Sequence, residues 1–333
     1  MITPSFALTA TERVLPRMAL DFTTANLDSR VTFTRTGNTA TVTNSSGVLA
    51  AINADLPRFD YDPTTLVCKG LLIEELRTNI LLNSLLNGTN LSTQLVTTVA
   101  TPYTLSFYGT GQIVLTGSSS ATVVGTGAYP SRKTLTFTPT AGVLTLTVTG
   151  TVQYAQLEAG AFASSFIPTA ATVVTRNPDV AAMTGTNFSS WYNQTQGSFT
   201  TEFDFNNAVL ETNWVLQVDD GTQQNSNYIW RWTGNGNLFN TALTGNVLLA
   251  QVASGVVIVK DAINKVSNAL GTNAFGVAFN GNTATSVTPY TAPTVNTLRI
   301  GSAISVFYFN GHIRKINYYL PRLINAELQA FSK

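Results

Sequence analysis

The stretch NYIWRW has the residue pattern best suited to ligand binding, because its aromatic side chains recur at every second position. In a β-strand, alternate side chains point to opposite faces. Tyr228, Trp230 and Trp232 would then share one face, and Ile229 and Arg231 the other. Aromatic rings can stack on the apolar face of a sugar ring while nearby polar groups hold its hydroxyls. We therefore expect a glycan-binding surface at this stretch.

The preceding stretch NWVLQV extends this expectation, because a strand would place Trp214 and Leu216 on one face. The candidate glycan-binding residues are Trp214, Tyr228, Trp230, Trp232 and Arg231. The alternative is that the rings fill the core of the fold and that Arg231 is an ordinary polar group at its rim. Trp191 and Tyr192 form a second candidate pair, which a plug in the core would explain equally well.

Asp219 and Asp220 are the only candidate metal ligands that we single out, as weak candidates for calcium. An Asp-Asp-Gly turn explains both residues without any metal. Calcium needs six to eight oxygen ligands, and the pattern supplies only two side chains. We expect no metal and no other cofactor, and calcium stays open as an alternative.

Carboxylates are the remaining groups that could carry out catalysis, since a glycosidase uses two that flank the scissile bond. Candidate pairs come from Glu202, Asp204, Asp219 and Asp220, and from Glu74 and Glu75. Among 17 acidic residues some such pair always exists, so the pattern indicates little. We expect a protein that is not an enzyme, and a glycan depolymerase stays open as a less favoured alternative.

A single histidine and a single cysteine exclude several other chemistries. An internal disulfide cannot form, and zinc sites built from several His or Cys ligands are ruled out. Any Ser-His-Asp or Cys-His system would have to use His312. We expect His312 to be half exposed, without a partner and non-catalytic, at the start of the last strand. Cys68 is expected to be a small buried apolar residue.

The composition narrows the class of protein. Of the 333 residues, 44% are hydrophobic, and the formal net charge is +1. Charged residues make up 11%, compared with roughly 25% in ordinary soluble proteins. Without a basic stripe we expect no nucleic-acid binding. The opening MITPSFALTATERVLPRMAL does not resemble a secretion signal, and without a run of about 20 apolar residues we expect no membrane insertion.

Short alternating segments bounded by Gly, Pro and Asn turns predict an all-β protein of antiparallel jelly-roll or sandwich domains. VTFTRT and TATVT are expected strands around a Gly37–Asn38 turn, while GLLIEEL is ambiguous. Strands are also expected in TLSFYGTGQIVLTG, SRKTLTFTPTAG and VLTLTVTGTVQYAQLEAG. The later expected strands are SFTTEFDF, NWVLQV, NYIWRW, AFGVAFNG, TLRIGS, VFYFNG and HIRKINYY. A Pro-rich connection places the main boundary near residue 175.

The last residues, LPRLINAELQAF, predict a short helix after the final strand. Pro321 cannot donate to a strand ladder, so the strand should end there. Asn325 is expected to cap the helix, with Glu327 in its first turn and with Leu328 and Phe331 facing inward. Such a helix would cover an edge or end of a sandwich.

Three stretches resemble recurrent sequences of tailed-bacteriophage virion proteins, especially tail-fibre and related surface proteins. They are MALDFTTANLDSRVTFTRTGNTATVTNSSGVLA with PRFDYDPTTLVCKGLLIEELRTNILLNS, then YAQLEAGAFASSFIPTAATVVTRNPDVAAM, and finally TLRIGS with NGHIRKINYYLPRLINAELQAF. The resemblance implies an N-terminal attachment and strand region over 1–70 and a jelly roll like a carbohydrate-binding module over 71–175. It also implies a concanavalin-A-like or laminin-G-like sandwich over 176–333.

The resemblance further implies a structural protein on the virion surface, on a fibre, a tail or a head appendage. Expected partners are other virion proteins, further copies of the chain and a host surface glycan, and a trimer would be typical of such fibres. A purely structural decoration or tail subunit with inert sandwiches stays open as an alternative. The resemblance carries no catalytic residues.

Overall fold

Antiparallel β-strands make up nearly all of the described chain, with a short helix near its end, as the sequence predicts. The computed structural model describes residues 15–37, 39–207, 211–271, 274–304 and 306–333. Residues 1–14, where no secretion signal is expected, and Asn38 of the expected Gly37–Asn38 turn lie outside these ranges. Within the described residues, no helix is long and apolar enough to span a bilayer.

The strands are numbered in chain order. The first fourteen are β1 Met18–Asp21, β2 Thr32–Thr34, β3 Ala40–Thr43, β4 Leu49–Ile52, β5 Phe59–Tyr61, β6 Cys68–Ile73, β7 Arg77–Asn79, β8 Gln94–Thr98, β9 Tyr103–Tyr108, β10 Gln112–Gly117, β11 Ala121–Val124, β12 Lys133–Phe137, β13 Gly142–Thr149 and β14 Gln153–Ala159. The others are β15 Val174–Arg176, β16 Val180–Thr184, β17 Gln196–Phe205, β18 Asn213–Asp219, β19 Ser226–Arg231, β20 Asn237–Thr244, β21 Val247–Val257, β22 Asn264–Gly271, β23 Ala274–Phe279, β24 Thr285–Val287, β25 Thr297–Ile300 and β26 Gly311–Tyr319. The helices are α1 Thr186–Ser189 and α2 Asn325–Phe331, and Phe22–Thr24 forms a 3₁₀ turn.

Two large sheets form the main sandwich. The eight-stranded sheet has the order β24-β23-β22-β17-β26-β6-β5, and β1 also pairs with β26. The seven-stranded sheet has the order β2-β16-β25-β18-β19-β20-β21. Their inner faces enclose one hydrophobic core, to which Phe199, Phe203, Ile229, Ile300 and Ile316 belong. This alternation of apolar inward and polar outward side chains is typical of antiparallel sandwiches.

The first segment, expected over 1–70 as an attachment region with its own strands, is built into this sandwich. Strand β1 pairs with β26, β2 pairs with β16, and β6 pairs with β26. Met18, Leu20, Phe33, Leu71 and Ile73 are buried in the same core as the residues of the last segment. The segment is too poor in apolar residues for a separate core, and it is ordered by burial against residues more than 100 positions away.

A second, smaller sandwich lies between β7 and β15. Its sheets have the orders β11-β10-β13-β8 and β12-β9-β14. The buried members of its core come from residues 81–157, whereas those of the main core come from residues 18–73 and 181–318. Strands β7 and β15 pair with each other, which brings the two ends of this smaller sandwich together. The chain therefore leaves the main sandwich and returns to it at one point.

Several strands differ locally from those expected from the sequence. VFYFNG, expected as a strand, is irregular before β26 begins at Gly311. The ambiguous GLLIEEL contributes to β6, whose Leu71 and Ile73 face the core. Strands β20, β21 and β22 lie in segments for which the sequence predicted no strand.

Helix α2 packs on the outer side of the eight-stranded sheet. Leu328 is fully buried with Ala269, Ala278, Tyr319 and Leu323, which agrees with the expected inward face. Phe331 is 37% exposed, although its ring lies 5.0 Å from that of Tyr319.

The expected cap of α2 is wrong. The residue before the first helical position is Ile324, and its backbone N–H donates to the carboxylate of Glu327 at 2.8 Å. Asn325 lies inside the helix and hydrogen-bonds the hydroxyl of Ser286 instead. The N-terminal turn is therefore held by the acidic residue rather than by the amide.

Candidate functional site

An aromatic surface lies on the outer face of the seven-stranded sheet. We define it by Trp214, Tyr228, Trp230, Trp232, Phe239 and Phe307. Trp214 stands opposite Trp230 in the β18–β19 pair, and Trp230 stands opposite Phe239 in the β19–β20 pair. Ile229, between Tyr228 and Trp230 in sequence, is buried in the core. The rings that alternate with Ile229 therefore point away from the core, and the reading in which they fill it is wrong.

The rings form a continuous stack around Trp214. Its ring lies 4.7 Å from that of Phe307 at an interplanar angle of 16°, 5.1 Å from that of Tyr228 and 5.4 Å from that of Trp230. Trp214 is thereby nearly covered, while Phe307 remains 48% exposed. Trp232, at the end of the surface, is 43% exposed. The stack presents a broad apolar area to solvent at these exposed rings.

Polar groups border this apolar area. The indole N–H of Trp230 donates to the Thr241 hydroxyl at 2.9 Å, and the side-chain amide of Gln251 donates to the same oxygen at 3.2 Å. Phe307 has a backbone φ of 53°, in the left-handed region that is unfavourable for a bulky side chain. A backbone bond from the Trp214 N–H to the Phe307 carbonyl holds this turn in place. The loop before β26 thus fixes an exposed ring against a strand.

Two expected features of this region are wrong. A β-bulge between Trp214 and Leu216 rotates the strand, so Trp214 faces outward while Leu216 lies in the core. Arg231 is buried on the opposite face, where its guanidinium lies 4.1 Å from the Phe205 ring centroid and donates to Asn213. Burial lowers the pKa of Arg231 to about 10. Arg231 therefore cannot take part in binding at the aromatic surface.

Trp191 and Tyr192 lie inside the main sandwich. They are 2% and 8% exposed and pack against Phe188, Phe199 and Tyr318. The structure thus places them as a core plug, the alternative that the sequence left open.

Asp219 and Asp220 have their oxygens occupied by protein groups. Asp219 is fully buried and accepts a bidentate pair from Arg299 at 2.7 and 3.2 Å. Asp220 accepts from Thr222 and from Asn225, which shapes the turn. Asp219 is thus paired with Arg299, and the contacts of Asp220 are those of the Asp-Asp-Gly turn that the sequence offered as the explanation without a metal. No group of three or more His, Cys, Asp or Glu side chains that could hold a metal is present among the described residues.

His312 lies in a buried carboxylate–histidine–carboxylate chain, contrary to the expectation of a half-exposed residue without a partner. Its Nδ1 lies 2.7 Å from an Asp204 oxygen, and its Nε2 lies 3.0 Å from an Asp60 oxygen. The ring is fully buried. Burial alone would lower the pKa of His312, but Asp204 and Asp60 outweigh it and raise that pKa. Burial would raise the pKa of Asp60, which the bond to His312 instead lowers.

The other candidate carboxylates are also engaged. Glu202 accepts from Arg314 at 2.8 Å, and an oxygen of Glu75 lies 2.5 Å from Arg77. Glu74 binds two arginines, as described next. The carboxylates proposed from the sequence for catalysis thus all have protein partners. Glu74, Glu75, Glu202 and Asp219 pair with cations, Asp204 contacts His312, and Asp220 accepts from Thr222 and Asn225.

A buried ionic network joins the smaller sandwich to the main one. Glu74 lies 2.8 Å from Arg58 and 3.0 Å from Arg176, and Arg58 also pairs with Asp179. The Ser165 N–H and hydroxyl donate to Glu74 at 2.7 and 2.6 Å. The side chains of these ionic groups are almost fully buried. Arg176 and Arg58 outweigh burial and lower the pKa of Glu74.

A cleft of about 580 Å³ opens beside this network, between the smaller sandwich and the outer face of the eight-stranded sheet. Asp60, Lys69 and Leu72 line its floor, and Tyr129 and Arg132 belong to its wall. Neither the network nor the cleft was expected from the sequence. The network residues come from PRFDYDP, GLLIEELRTN, SSFIPT and VVTRNPDV, and the charged and Pro residues of these stretches were the available signal.

Comparisons with known proteins give structural similarities only. No family model matches the chain, and no curated protein matches it. The sialidase CBM40 module of Ruminococcus gnavus, solved with α2,6-sialyllactose, aligns with a TM-score of 0.39 at 14% identity, over 44% of this chain and 88% of that one. Domain 4 of the extracellular arabinanase AbnA from Geobacillus stearothermophilus, solved with arabinotriose, gives 0.37 at 12% identity, over 47% and 73%. A pentraxin of Limulus polyphemus gives 0.32 at 10% identity, over 41% and 70%.

These neighbours are the carbohydrate-binding module of a sialidase, a domain of an arabinanase and a pentraxin. The strands and sheets of the chain itself make it an all-β protein of antiparallel sandwiches.

Proposed function

We propose that this chain is a non-catalytic glycan-binding protein whose ligand lies on the aromatic surface. The observation that carries the proposal is the stacked array of Trp214, Phe307, Tyr228 and Trp230 on the outer face of the sheet, in which Phe307 is 48% exposed. Exposed apolar area in a soluble protein is unfavourable unless a partner covers it, and contiguous patches commonly mark binding sites. Here the patch consists of flat rings beside the exposed side-chain amide of Gln251, which suits a sugar ring better than an aliphatic ligand.

We further propose that the chain is carried on the surface of a tailed-phage virion and that its ligand is a glycan of the host envelope. The support for this part is the resemblance of the three stretches quoted above. Assembly as a homo-oligomer, with a trimer as the typical form, and attachment to other virion proteins belong to the same proposal. Binding would then hold the particle at the cell surface.

A glycan array probed with the full chain tests the binding proposal. We expect selective binding to a subset of glycans, and we expect Trp230→Ala to lose it while remaining folded. Phe331→Ala is the matched control, because it removes a partly exposed ring from helix α2 on the other large sheet. No binding by the unmodified chain would favour the purely structural alternative. Release of reducing ends from host polysaccharide would favour the depolymerase.

A further inference from the structure

The cleft between the two sandwiches has fixed walls. Its floor is the outer face of β5 and β6, and its opposite wall is formed by β12 and the loops that flank it. Glu74 and Ser165, which both line the cleft, are hydrogen-bonded to each other, and Glu74 also binds Arg58 and Arg176. Because this connection is buried and ionic, breaking it would expose or strand charges, so the cleft is a preformed space.

Three cations, Lys69, Arg132 and Lys260, line the cleft with three carboxylates, and the cations differ in their pairing. Lys69 lies 3.5 Å from Asp60, and Lys260 lies 3.5 Å from Asp261. Arg132 is different. Its guanidinium donates to the Ser164 carbonyl and to the Ser106 hydroxyl, both at 2.7 Å, and no ion pair joins it to a carboxylate of the described residues.

Arg132 is therefore a half-buried cation that forms no ion pair within the part of the chain that the structure describes. Its Nε is buried and has no hydrogen-bond partner among the described residues. A guanidinium in such a place gains from an anionic oxygen ligand, because hydrogen bonds between charged groups are the strong ones.

The rest of the wall suits a polyhydroxylated ring. Thr134 and Thr136 are exposed on β12 and line the cleft with their side chains. The rings of Tyr108 and Tyr129 lie 5.2 Å apart beside Arg132, whose guanidinium carbon is 5.9 Å from the Tyr108 centroid. Hydroxyls and aromatic rings around one cation are the groups that a sugar with an acidic substituent requires.

We propose that this cleft is a second ligand site, which binds an acidic saccharide with Arg132 as the partner of its carboxylate. The site is separate from the aromatic surface, so either can exist without the other. Thr134, Thr136 and the tyrosine rings would contact the sugar. Asp60, which contacts His312, closes the floor and disfavours a ligand whose negative charge points that way.

The test is ligand-observed NMR titration of the full chain with methyl β-D-glucuronide, methyl β-D-glucoside and acetate. We expect the glucuronide to bind at least about tenfold more tightly than the glucoside, as expected for one charge-assisted bond. Equal binding of the two glycosides would overturn the proposal. Acetate binding as tightly as the glucuronide would overturn it too, because the site would then recognise an ion only.

Variants locate the binding. Arg132→Gln should reduce glucuronide binding to the level of the glucoside. Lys133→Gln, which removes the neighbouring charge outside the cleft lining, should leave it unchanged. Thr134→Phe fills the cleft from an exposed position and should abolish binding, even if Arg132→Gln fails to fold. If Thr134→Phe still binds the glucuronide, or if Phe307→Ala loses that binding instead, the cleft is not the glucuronide site. If the aromatic surface binds no glycan, the proposal for the cleft is unaffected.

Discussion

Replacing His312 by Ala should destabilise the protein strongly, because the residue is buried between two carboxylates and not half exposed as the sequence suggested. The ring is fully buried, and its two nitrogens contact the carboxylates of Asp204 and Asp60. The Asp204 side chain is 5% exposed and that of Asp60 14%, so water cannot easily replace the lost partner. Removing one member of a buried ion pair costs about 3 to 5 kcal/mol, and we expect this loss in the free energy of unfolding.

The stability of the unmodified chain should also depend on pH in a specific way. The pKa of His312 is raised above 6.5 in the folded state, so its contribution is complete below pH 6.5 and is lost as the pH rises through the folded pKa. The pKa of Asp60 is lowered from 3.8, so its contribution is present above pH 3.8 and is lost as the pH falls through the folded value. The contribution of this pair to the free energy of unfolding should therefore be largest between about pH 3.8 and pH 6.5.

Thermal unfolding at a series of pH values measures both effects. For a unit of about 150 to 250 residues, 3 to 5 kcal/mol corresponds to a decrease in Tm of about 6 to 20 °C. In His312→Ala the decline in stability above pH 6.5 should disappear. His312→Gln preserves most of the volume and separates the cavity from the charge. A His312→Ala protein with unchanged Tm and an unchanged pH profile would refute the buried carboxylate–histidine–carboxylate chain.

Three further predictions concern the packing of helix α2, the buried ionic network and the pairing of the first segment with the last. Leu328→Ala should lower the free energy of unfolding, measured by chemical denaturation, by about 2 to 5 kcal/mol, because it removes a fully buried side chain. Asn325→Ala should lower it clearly less, since Asn325 does not cap α2. Equal losses in the two variants would contradict this difference. Glu74→Gln should cost about 3 to 5 kcal/mol by the same measurement, because it leaves two buried arginines short of a counter-charge, and a loss below about 1 kcal/mol would show that the network is not formed. A protein in which a short linker joins residues 15–79 to 174–333 should unfold cooperatively when followed by circular dichroism. Residues 176–333 alone should not fold, because they lack β1, β2, β5 and β6. A folded 176–333 would mean that the first segment is dispensable.

Local patterns predicted the outer face of β19 correctly, because side-chain alternation depends only on the strand itself. Tyr228 and Trp230 share the outer face, and Ile229 faces the core, as expected. Trp214 belongs to the aromatic surface, but not on the same face as Leu216 as the alternation suggested. The bulge after Trp214 separates the two side chains, and it depends on how β18 and β19 pair. The burial of Arg231 also depends on residues that pack on the opposite face.

Features formed by long-range contacts could not be predicted. Asp60 and His312 are 252 positions apart, and no periodicity connects them. The same holds for Phe307, whose segment alternates like a strand but turns outward onto Trp214. The helix after β26 was predictable because proline, the acidic first turn and the buried leucine are local signals.

The affinity of the best glycan from the array, measured by isothermal titration calorimetry for Phe307→Ala and Phe331→Ala, tests the central claim most directly. Burying a whole Phe side chain contributes about 1.5 to 3 kcal/mol. Phe307 is 48% exposed, so a sugar that covers it should gain about half of that. The account predicts that Phe307→Ala weakens binding about 4- to 13-fold and that Phe331→Ala leaves it unchanged. Equal affinity of a folded Phe307→Ala protein and the unmodified chain would contradict the placement of the glycan on the aromatic surface.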